Sequence, residues 1–201
     1  MQSNYFTKNQ IVDVLERPTK NSSISSQIIY GEKFKIISKN RSFYKVKTLY
    51  DNYLGYISRK VKINYKFKPT HKIRVLKSRI YIGRYNQKKR PLKRWLPFGS
   101  KLEIIKKQNN FAMFEKNKWI KSNEISLITI KDKNFIKILK LFINCPYKWG
   151  GKTFQGVDCS ALIQNYFNYN NEFFPRDTVD QVKIKKGLRY MPTINQIIRK
   201  G

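Results

Sequence analysis

The sequence predicts a multidomain protein in which two small all-β barrels precede an α+β domain. Three observations lead to this expectation. Short alternating strands recur at spacings of about ten residues, the same order of strands occurs twice, and helical periodicity begins only after residue 130. The predicted units span residues 10–63, 70–127 and 128–201 of the 201-residue chain.

The first predicted unit, residues 10–63, consists of short strands separated by polar turns. Apolar and polar residues alternate within the strands, as expected for a sheet with one buried face. A polar loop at residues 16–23 contains Pro18, which interrupts strand pairing. The predicted strands are residues 11–14, 28–32, 34–37, 43–47 and 53–57.

The second predicted unit, residues 70–127, repeats this order. Residues 96–105 parallel residues 30–37, and later strands at 111–114 and 118–120 close the unit. A diverged repeat of roughly 60 residues predicts two barrels in tandem. Each is so short that we expect it to pack on its neighbours.

Helical periodicity characterises the third unit. Apolar residues at i+3 and i+4 spacings alternate with lysines over residues 132–144, which predicts an amphipathic helix that ends at Pro146. Gly150 and Gly151 then open a loop. Residues 157–169 predict a second helix with one apolar face.

Composition excludes several classes of protein. No run of about 18 apolar residues occurs, so we expect no membrane-spanning helix. Cys145 and Cys159 are too few for a disulfide framework, and the single histidine, His71, cannot support a histidine-rich metal site. We therefore expect no metal or other cofactor. The N-terminus lacks a basic segment followed by an apolar one, which predicts a cytoplasmic location.

The charge has two interpretations. With 43 Lys and Arg against 12 Asp and Glu, the formal net charge is +31, as in many nucleic-acid-binding proteins. A shift towards AT-rich codons would produce the same abundance of Lys, Asn and Ile with only two alanines. We favour the compositional interpretation, because the basic residues are spread along the whole chain and no nucleic-acid motif occurs. No specific nucleic-acid partner is therefore predicted.

Cys159 is the candidate nucleophile. It follows a Gly-Val-Asp turn and begins the second predicted helix, where the helix N-terminus favours the thiolate form. A thiolate is the attacking form of a nucleophilic cysteine. The alternative is a buried, inert cysteine, which is the usual state of a free thiol in a core. Cys145, just before a proline at a helix end, is predicted to be structural.

The motifs around Cys159 carry a family resemblance. PYKWGG at 146–151, GVDCS at 156–160 and PRDT at 175–178, followed by Gln181, resemble the NlpC/p60 family of cell-wall cysteine peptidases. Ala161 and Thr178 depart from the usual glycine and serine. The resemblance implies a papain-like α+β domain. The two preceding barrels are similar to bacterial SH3-like modules, the layout of γ-D-glutamyl-diamino acid endopeptidases of the dipeptidyl-peptidase VI type.

The resemblance implies roles for residues near the nucleophile. Cys159 would attack the γ-D-glutamyl carbonyl of a murein peptide and form a thioester, with Tyr147 polarising or positioning that carbonyl. Asp158 and Ser160 would bind the free amino group of an N-terminal L-Ala. Thr178 would add a hydroxyl.

Two residues of the first barrel are implied to wall the same pocket. Glu32 and Tyr53 would admit only peptides with a free L-Ala end. The alternatives are a solvated turn carboxylate for Glu32 and a core aromatic for Tyr53.

In this family the catalytic histidine lies downstream of the PRDT segment, and residues 182–201 contain no histidine, so the resemblance implies a truncated domain. His71 lies on the other side of the nucleophile in sequence and is not expected to be the base. We therefore expect this polypeptide alone to be inactive, with an exposed apolar face on the Cys159 helix. The alternative function is a non-catalytic module that binds wall peptide. The oligomeric state is not predicted.

Overall fold

The first part of the chain forms one antiparallel sheet in the computed structural model, which describes residues 4–184. The sheet has seven strands in the order β3-β2-β6-β5-β4-β1-β7. Its strands are β1 (Asn4–Thr7), β2 (Ile11–Leu15), β3 (Ile24–Ile29), β4 (Lys33–Lys39), β5 (Phe43–Thr48), β6 (Leu54–Ser58) and β7 (Ile63–Asn64). The sheet begins before the predicted start at residue 10, because β1 pairs with both β4 and β7.

Alternation along β2 shows why this sheet has one buried face. Val12 and Val14 are buried, whereas Asp13 between them is exposed. The two valines join a cluster contributed by five of the strands. Its buried members are Val12, Val14, Ile28, Phe34, Val46 and Ile57.

Residues 70–127 form two hydrogen-bonded sheets around one core. Five strands have the order β10-β9-β14-β13-β12, and three have the order β11-β8-β15. The strands are β8 (His71–Ile73), β9 (Lys77–Ile82), β10 (Arg90–Pro97), β11 (Lys101–Leu102), β12 (Lys106–Gln108), β13 (Phe111–Glu115), β14 (Lys118–Lys121) and β15 (Ile125–Leu127). Most of the predicted strand over 102–105 is not formed, since β11 ends at Leu102 and β12 begins only at Lys106.

The remaining described residues contain three helices and one short hairpin. They form α1 (Phe135–Lys140), a hairpin of β16 (Lys152–Thr153) and β17 (Gly156–Val157), α2 (Cys159–Tyr169) and α3 (Thr178–Gln181). Helix α1 is shorter than predicted, because the Asn134 side chain caps its start and Leu141 ends it. The part of the predicted third unit after residue 184 lies outside the described residues.

The apolar face of α2 is buried, so the expected exposure of this face is wrong. Ala161, Ile163 and Phe167 are at most 5% exposed. They belong to a cluster that includes Phe98 from the second unit and Phe135 from α1. The expectation assumed that only strands of the same domain could cover the helix, whereas a neighbouring unit and α1 cover it.

The two β units contact each other at a tight turn. Lys101 donates its backbone N–H to the carbonyl of Tyr30 at 3.0 Å. Gly31 follows with φ of +78°, and a Cβ there would lie 2.2 Å from the Lys101 carbonyl oxygen. Only glycine fits this approach. Within residues 4–184, no helix has the length and apolarity needed to cross a membrane.

Lys72 joins β8 to the end of α2 through a buried ammonium. Its Nζ donates to the Tyr169 carbonyl at 2.5 Å and lies 4.0 Å from the centroid of the Tyr169 ring. Burial lowers the pKa of Lys72 to about 8, and the charges of Lys101 and Lys131 act in the same direction. The folded state therefore binds this proton less tightly than the unfolded chain does.

This shift predicts a pH-dependent stability. Between pH 8 and the ordinary lysine pKa the unfolded chain binds more protons at Lys72, so the free energy of unfolding should rise as pH increases from about 8 to 9.5. Urea titrations at several pH values measure this slope. Lys72→Met should flatten it, and Lys93→Met, at an exposed position, should not. An unchanged slope in Lys72→Met would contradict the assignment.

Candidate active site

Cys159 is exposed at the first position of α2. The helix has eleven residues, and Asp158 is its N-cap, with an extended backbone (φ −92°, ψ 170°). The backbone N–H groups of the first helical turn have no partner within the helix, and they favour negative charge at this N-terminal end. The inert, buried alternative for Cys159 does not agree with this exposure.

The Asp158 carboxylate organises this helix end. One oxygen accepts hydrogen bonds from the Ala161 N–H at 2.8 Å, the Ser160 hydroxyl at 3.0 Å and Arg176 Nη1 at 3.0 Å. The other accepts from the Gly150 N–H at 3.0 Å and from Arg176 Nη2 at 2.5 Å. Both Asp158 and Ser160 are buried, and the carboxylate is fully hydrogen-bonded within the protein.

Arg176 connects this cap to the first sheet. Its guanidinium is buried, and beyond Asp158 it donates to the Ser160 hydroxyl at 2.7 Å. Its Nε donates to the Ser26 hydroxyl on β3 at 3.0 Å. The planar fork of an arginine suits this paired geometry. The cap of the nucleophile's helix is thus tied to the first β unit.

The loop before α2 is held against the same elements. Val157 donates its N–H to the Pro146 carbonyl at 3.0 Å, and an isolated parallel bridge joins Tyr147 to Val157. Gly150 has φ of +72°, and a Cβ there would lie 2.5 Å from the Ile24 carbonyl oxygen. The glycine of the motif is therefore required by packing against β3.

The predicted polarising residue, Tyr147, projects into solvent. It is 67% exposed, and Trp149, two residues later, is 68% exposed. The backbone bridge to Val157 places Tyr147 beside the segment that leads into Cys159. Its role towards a reacting carbonyl stays a prediction.

Thr178 is brought to the nucleophile. Its Oγ1 lies 4.0 Å from Cys159 Sγ, and it begins the short helix α3. Gln181 of α3 is buried and donates to the Ser160 carbonyl and the Pro175 carbonyl, both at 2.9 Å. These bonds fix α3 against the start of α2.

Glu32 is placed elsewhere. It is buried, and its carboxylate pairs with Lys152 Nζ at 3.2 Å and accepts from Asn168 Nδ2 at 2.9 Å. Asn168 is near the C-terminal end of α2, whereas Cys159 starts it, which separates them by about 13 Å along the axis. The structure therefore does not bring Glu32 to the predicted pocket, and the alternative of a solvated turn carboxylate is also wrong.

Tyr53 lies near the Cys159 region. Its phenol is half-buried, and burial raises its pKa, as do the nearby charges of Asp177 and Glu16, whereas a bond with Ser25 and the charge of Arg176 lower it. Glu16 is an exposed carboxylate in the loop after β2 that sequence reasoning missed. No local sequence pattern points to Glu16, because its position near Tyr53 depends on contacts between residues that are far apart in the chain.

Asp177 adds a further carboxylate. It precedes α3 and makes no side-chain cap hydrogen bond. Burial raises its pKa and Arg176 opposes this, while the carboxylates of Asp180, Asp158 and Asp51 raise it further. A strongly basic chain thus concentrates acidic groups close to its exposed cysteine.

His71 and Cys145 are not part of this arrangement. His71 is in β8, where its Nδ1 lies 2.8 Å from the Thr70 hydroxyl, and burial and Lys107 lower its pKa. Cys145 is half-buried against the α1–α2 cluster, and burial raises its pKa. Within the described part of the chain, no three His, Cys, Asp or Glu side chains group as a metal site would require.

The Asp158–Arg176 pair predicts strong coupling. Arg176→Gln leaves the Asp158 carboxylate buried without its cation and should lower the free energy of unfolding by about 3–5 kcal/mol. Asp158→Asn should also destabilise. The double variant should cost less than the sum, because neither charge is then stranded. Urea unfolding of the four proteins measures the cycle, and strictly additive costs would contradict this role for the pair.

Comparisons with known proteins agree with the motifs. Residues 14–60 match the bacterial dipeptidyl-peptidase SH3 domain, and residues 144–197 match the NlpC/P60 family. A γ-D-glutamyl-L-lysine dipeptidyl-peptidase of Bacillus subtilis (strain 168) is 26% identical over 181 residues, which is 82% of this chain. The alignment spans 60% of that relative's length.

A solved structure shares the fold. An NlpC/P60 family protein from Bacillus cereus ATCC 10987 superposes with a TM-score of 0.75 at 15% identity, covering 90% of this chain and 77% of the other. Over the described residues the elements thus follow an architecture known from experiment. The chain is therefore similar to the bacterial dipeptidyl-peptidase SH3 domain over residues 14–60 and to the NlpC/P60 family over residues 144–197, as its motifs indicated.

Proposed function

We propose that this chain is part of a cell-wall peptidase that cleaves the γ-D-glutamyl–diamino acid bond of murein peptides with a free N-terminal L-Ala. One observation supports this most directly. The Cys159 thiol is exposed at the N-terminus of α2, and its neighbouring cap residue Asp158 is locked by Arg176. The similarity to the NlpC/P60 family and to a dipeptidyl-peptidase supports the same class of reaction.

The proposed chemistry proceeds through a thioester. The Cys159 thiol loses its proton, and the thiolate attacks the γ-glutamyl carbonyl carbon. The C–N bond then breaks, and the diamino acid leaves as an amine whose nitrogen has taken up the proton that the thiol lost. Water then cleaves the thioester, which releases the L-Ala-γ-D-Glu carboxylate and regenerates the thiol. Tyr147 and Thr178 stand beside the start of α2, where they would contact the reacting carbonyl or the peptide.

The acidic surroundings of Cys159 would recognise the peptide's ammonium. Asp158 and Ser160 are the predicted ligands, but an ammonium would have to displace bonds that Arg176 now makes. We therefore add Asp177 and Glu16, two carboxylates near Tyr53. Neither forms an ion pair within residues 4–184. An ammonium between carboxylates gains charge-assisted hydrogen bonds.

The rest of the architecture belongs to the same proposal. We propose that residues 70–127 are a second SH3-like barrel, because their two sheets enclose one apolar core. The cytoplasmic location, and hence recycled wall peptides as substrate, also stays a proposal.

A binding module is the second candidate function. His71, the single histidine of the 201-residue sequence, lies in β8, where its Nδ1 is hydrogen-bonded with the Thr70 hydroxyl. It therefore supplies no base at Cys159, and a cysteine peptidase needs one. In this alternative, the carboxylates of Asp177 and Glu16 would bind wall peptide, and no bond of the peptide would be cleaved.

Thiol labelling tests the proposed nucleophile. Cys159 should react with iodoacetamide roughly tenfold faster than Cys145, because Cys159 is exposed at a helix N-terminus and Cys145 is half-buried. Peptide mass spectrometry on the native protein measures both rates. Cys145→Ser should leave the fast rate unchanged, and Cys159→Ser should abolish it. Equal rates for the two thiols would contradict the assignment.

Peptide binding and hydrolysis separate the two candidate functions. L-Ala-γ-D-Glu-diaminopimelate should bind roughly tenfold more tightly than its N-acetylated form, since acetylation removes the ammonium. Asp177→Asn should reduce this preference, and Asp132→Asn should not. Release of L-Ala-γ-D-Glu supports the peptidase, whereas binding without release supports the module. Equal affinity for both peptides would overturn the proposed recognition.

A further inference from the structure

A cavity distinct from the Cys159 region lies where the two β units meet the end of α2. Its volume is about 300 Å³, and its lining includes Lys33, Lys101, Leu49 and Asn168. Asn168 is nine positions after Cys159 in α2, so the cavity and the thiol are at opposite ends of that helix. The family motifs around Cys159 do not account for this space.

Two lysines give the cavity its charge. Lys33 follows the Gly31 turn in β4, and Lys101 starts β11, so each comes from a different β unit. Neither forms an ion pair within residues 4–184. The cavity's own carboxylate, Glu32, is already paired with Lys152 at 3.2 Å.

Lys101 is the more desolvated of the two cations. Burial lowers its pKa, and the neighbouring charges of Lys33 and Lys152 lower it further, while Glu32 opposes them. An ammonium that is removed from water and forms no ion pair destabilises the folded protein. An anion bound in the cavity would relieve this cost.

The other residues that line the cavity restrict which ligand can fill it. Leu49 and Phe173 add apolar surface to the lining. Asn168 donates one amide N–H to Glu32 at 2.9 Å, and its amide nitrogen carries a second N–H that can donate to a carboxylate. Lys33 and Lys101, which form no ion pair in the described part of the chain, share this lining with apolar side chains, although Lys33 Nζ also lies 5.4 Å from the centroid of the Phe6 ring. Such a lining suits a short carbon chain with a carboxylate at each end.

We propose that this cavity binds a small dicarboxylate, with one carboxylate on Lys101, the other on Lys33, and its carbon chain against Leu49 and Phe173. The ligand would hold the two β units and the end of α2 together, because each supplies part of the cavity. This inference does not depend on the reaction at Cys159.

Calorimetric titration of the full chain with glutarate, at constant ionic strength, tests the proposal. Wild-type protein should bind glutarate saturably, and butyrate, with one carboxylate, should bind roughly tenfold more weakly. Lys101→Met should weaken glutarate binding roughly tenfold or more, because it removes a charge-assisted contact. Lys33→Met, at an exposed position, should weaken it without affecting the fold.

The control is Lys107→Met, which removes the same charge from an exposed position in β12. It should bind glutarate as the wild type does. Equal losses in Lys107→Met and Lys101→Met would indicate general charge attraction and overturn the proposal. Tighter binding of inorganic phosphate than of glutarate, or no saturable binding of glutarate, would overturn it too.

Discussion

The buried pairing of Arg176 with Asp158 is the interaction on which this arrangement depends. The guanidinium satisfies both carboxylate oxygens and reaches Ser26 of β3 through Nε. A buried carboxylate of this kind is tolerated only when it is paired and fully hydrogen-bonded. This pairing forms only when the N-cap of α2, the PRDT segment and the first sheet are all in their native positions. It thereby positions the Cys159 thiol.

A second polar network repeats this logic at the other end of α2. Glu32 joins Lys152 and Asn168 at distances of 3.2 and 2.9 Å, and the Lys152 backbone N–H donates to the Gln27 side chain at 2.9 Å. Both ends of the helix are therefore tied to the first β unit by buried polar groups. Such contacts are directional, which fixes the orientation of units that apolar packing alone would leave free to slide.

Charge is distributed unevenly despite the net value of +31. Carboxylates gather near Cys159, where Asp177 has its pKa raised by burial and by neighbouring acids. Lysines without ion-pair partners in the described residues line the cavity at the far end of α2. The local sign of the charge therefore differs from the overall balance.

The sequence by itself determined the order of units, most strand positions and the place of Cys159 at a helix start, because periodicity, turn residues and spacing are local properties of the chain. It also determined the motifs whose family match the comparisons bear out. Only the tertiary structure decided which distant side chains meet. Glu32 forms a buried ion pair with Lys152 at the other end of α2 from the thiol. Glu16 lies near Tyr53, and Phe98 packs in the same apolar cluster as α2. These depend on contacts between residues that are far apart in sequence, and no local pattern encodes them.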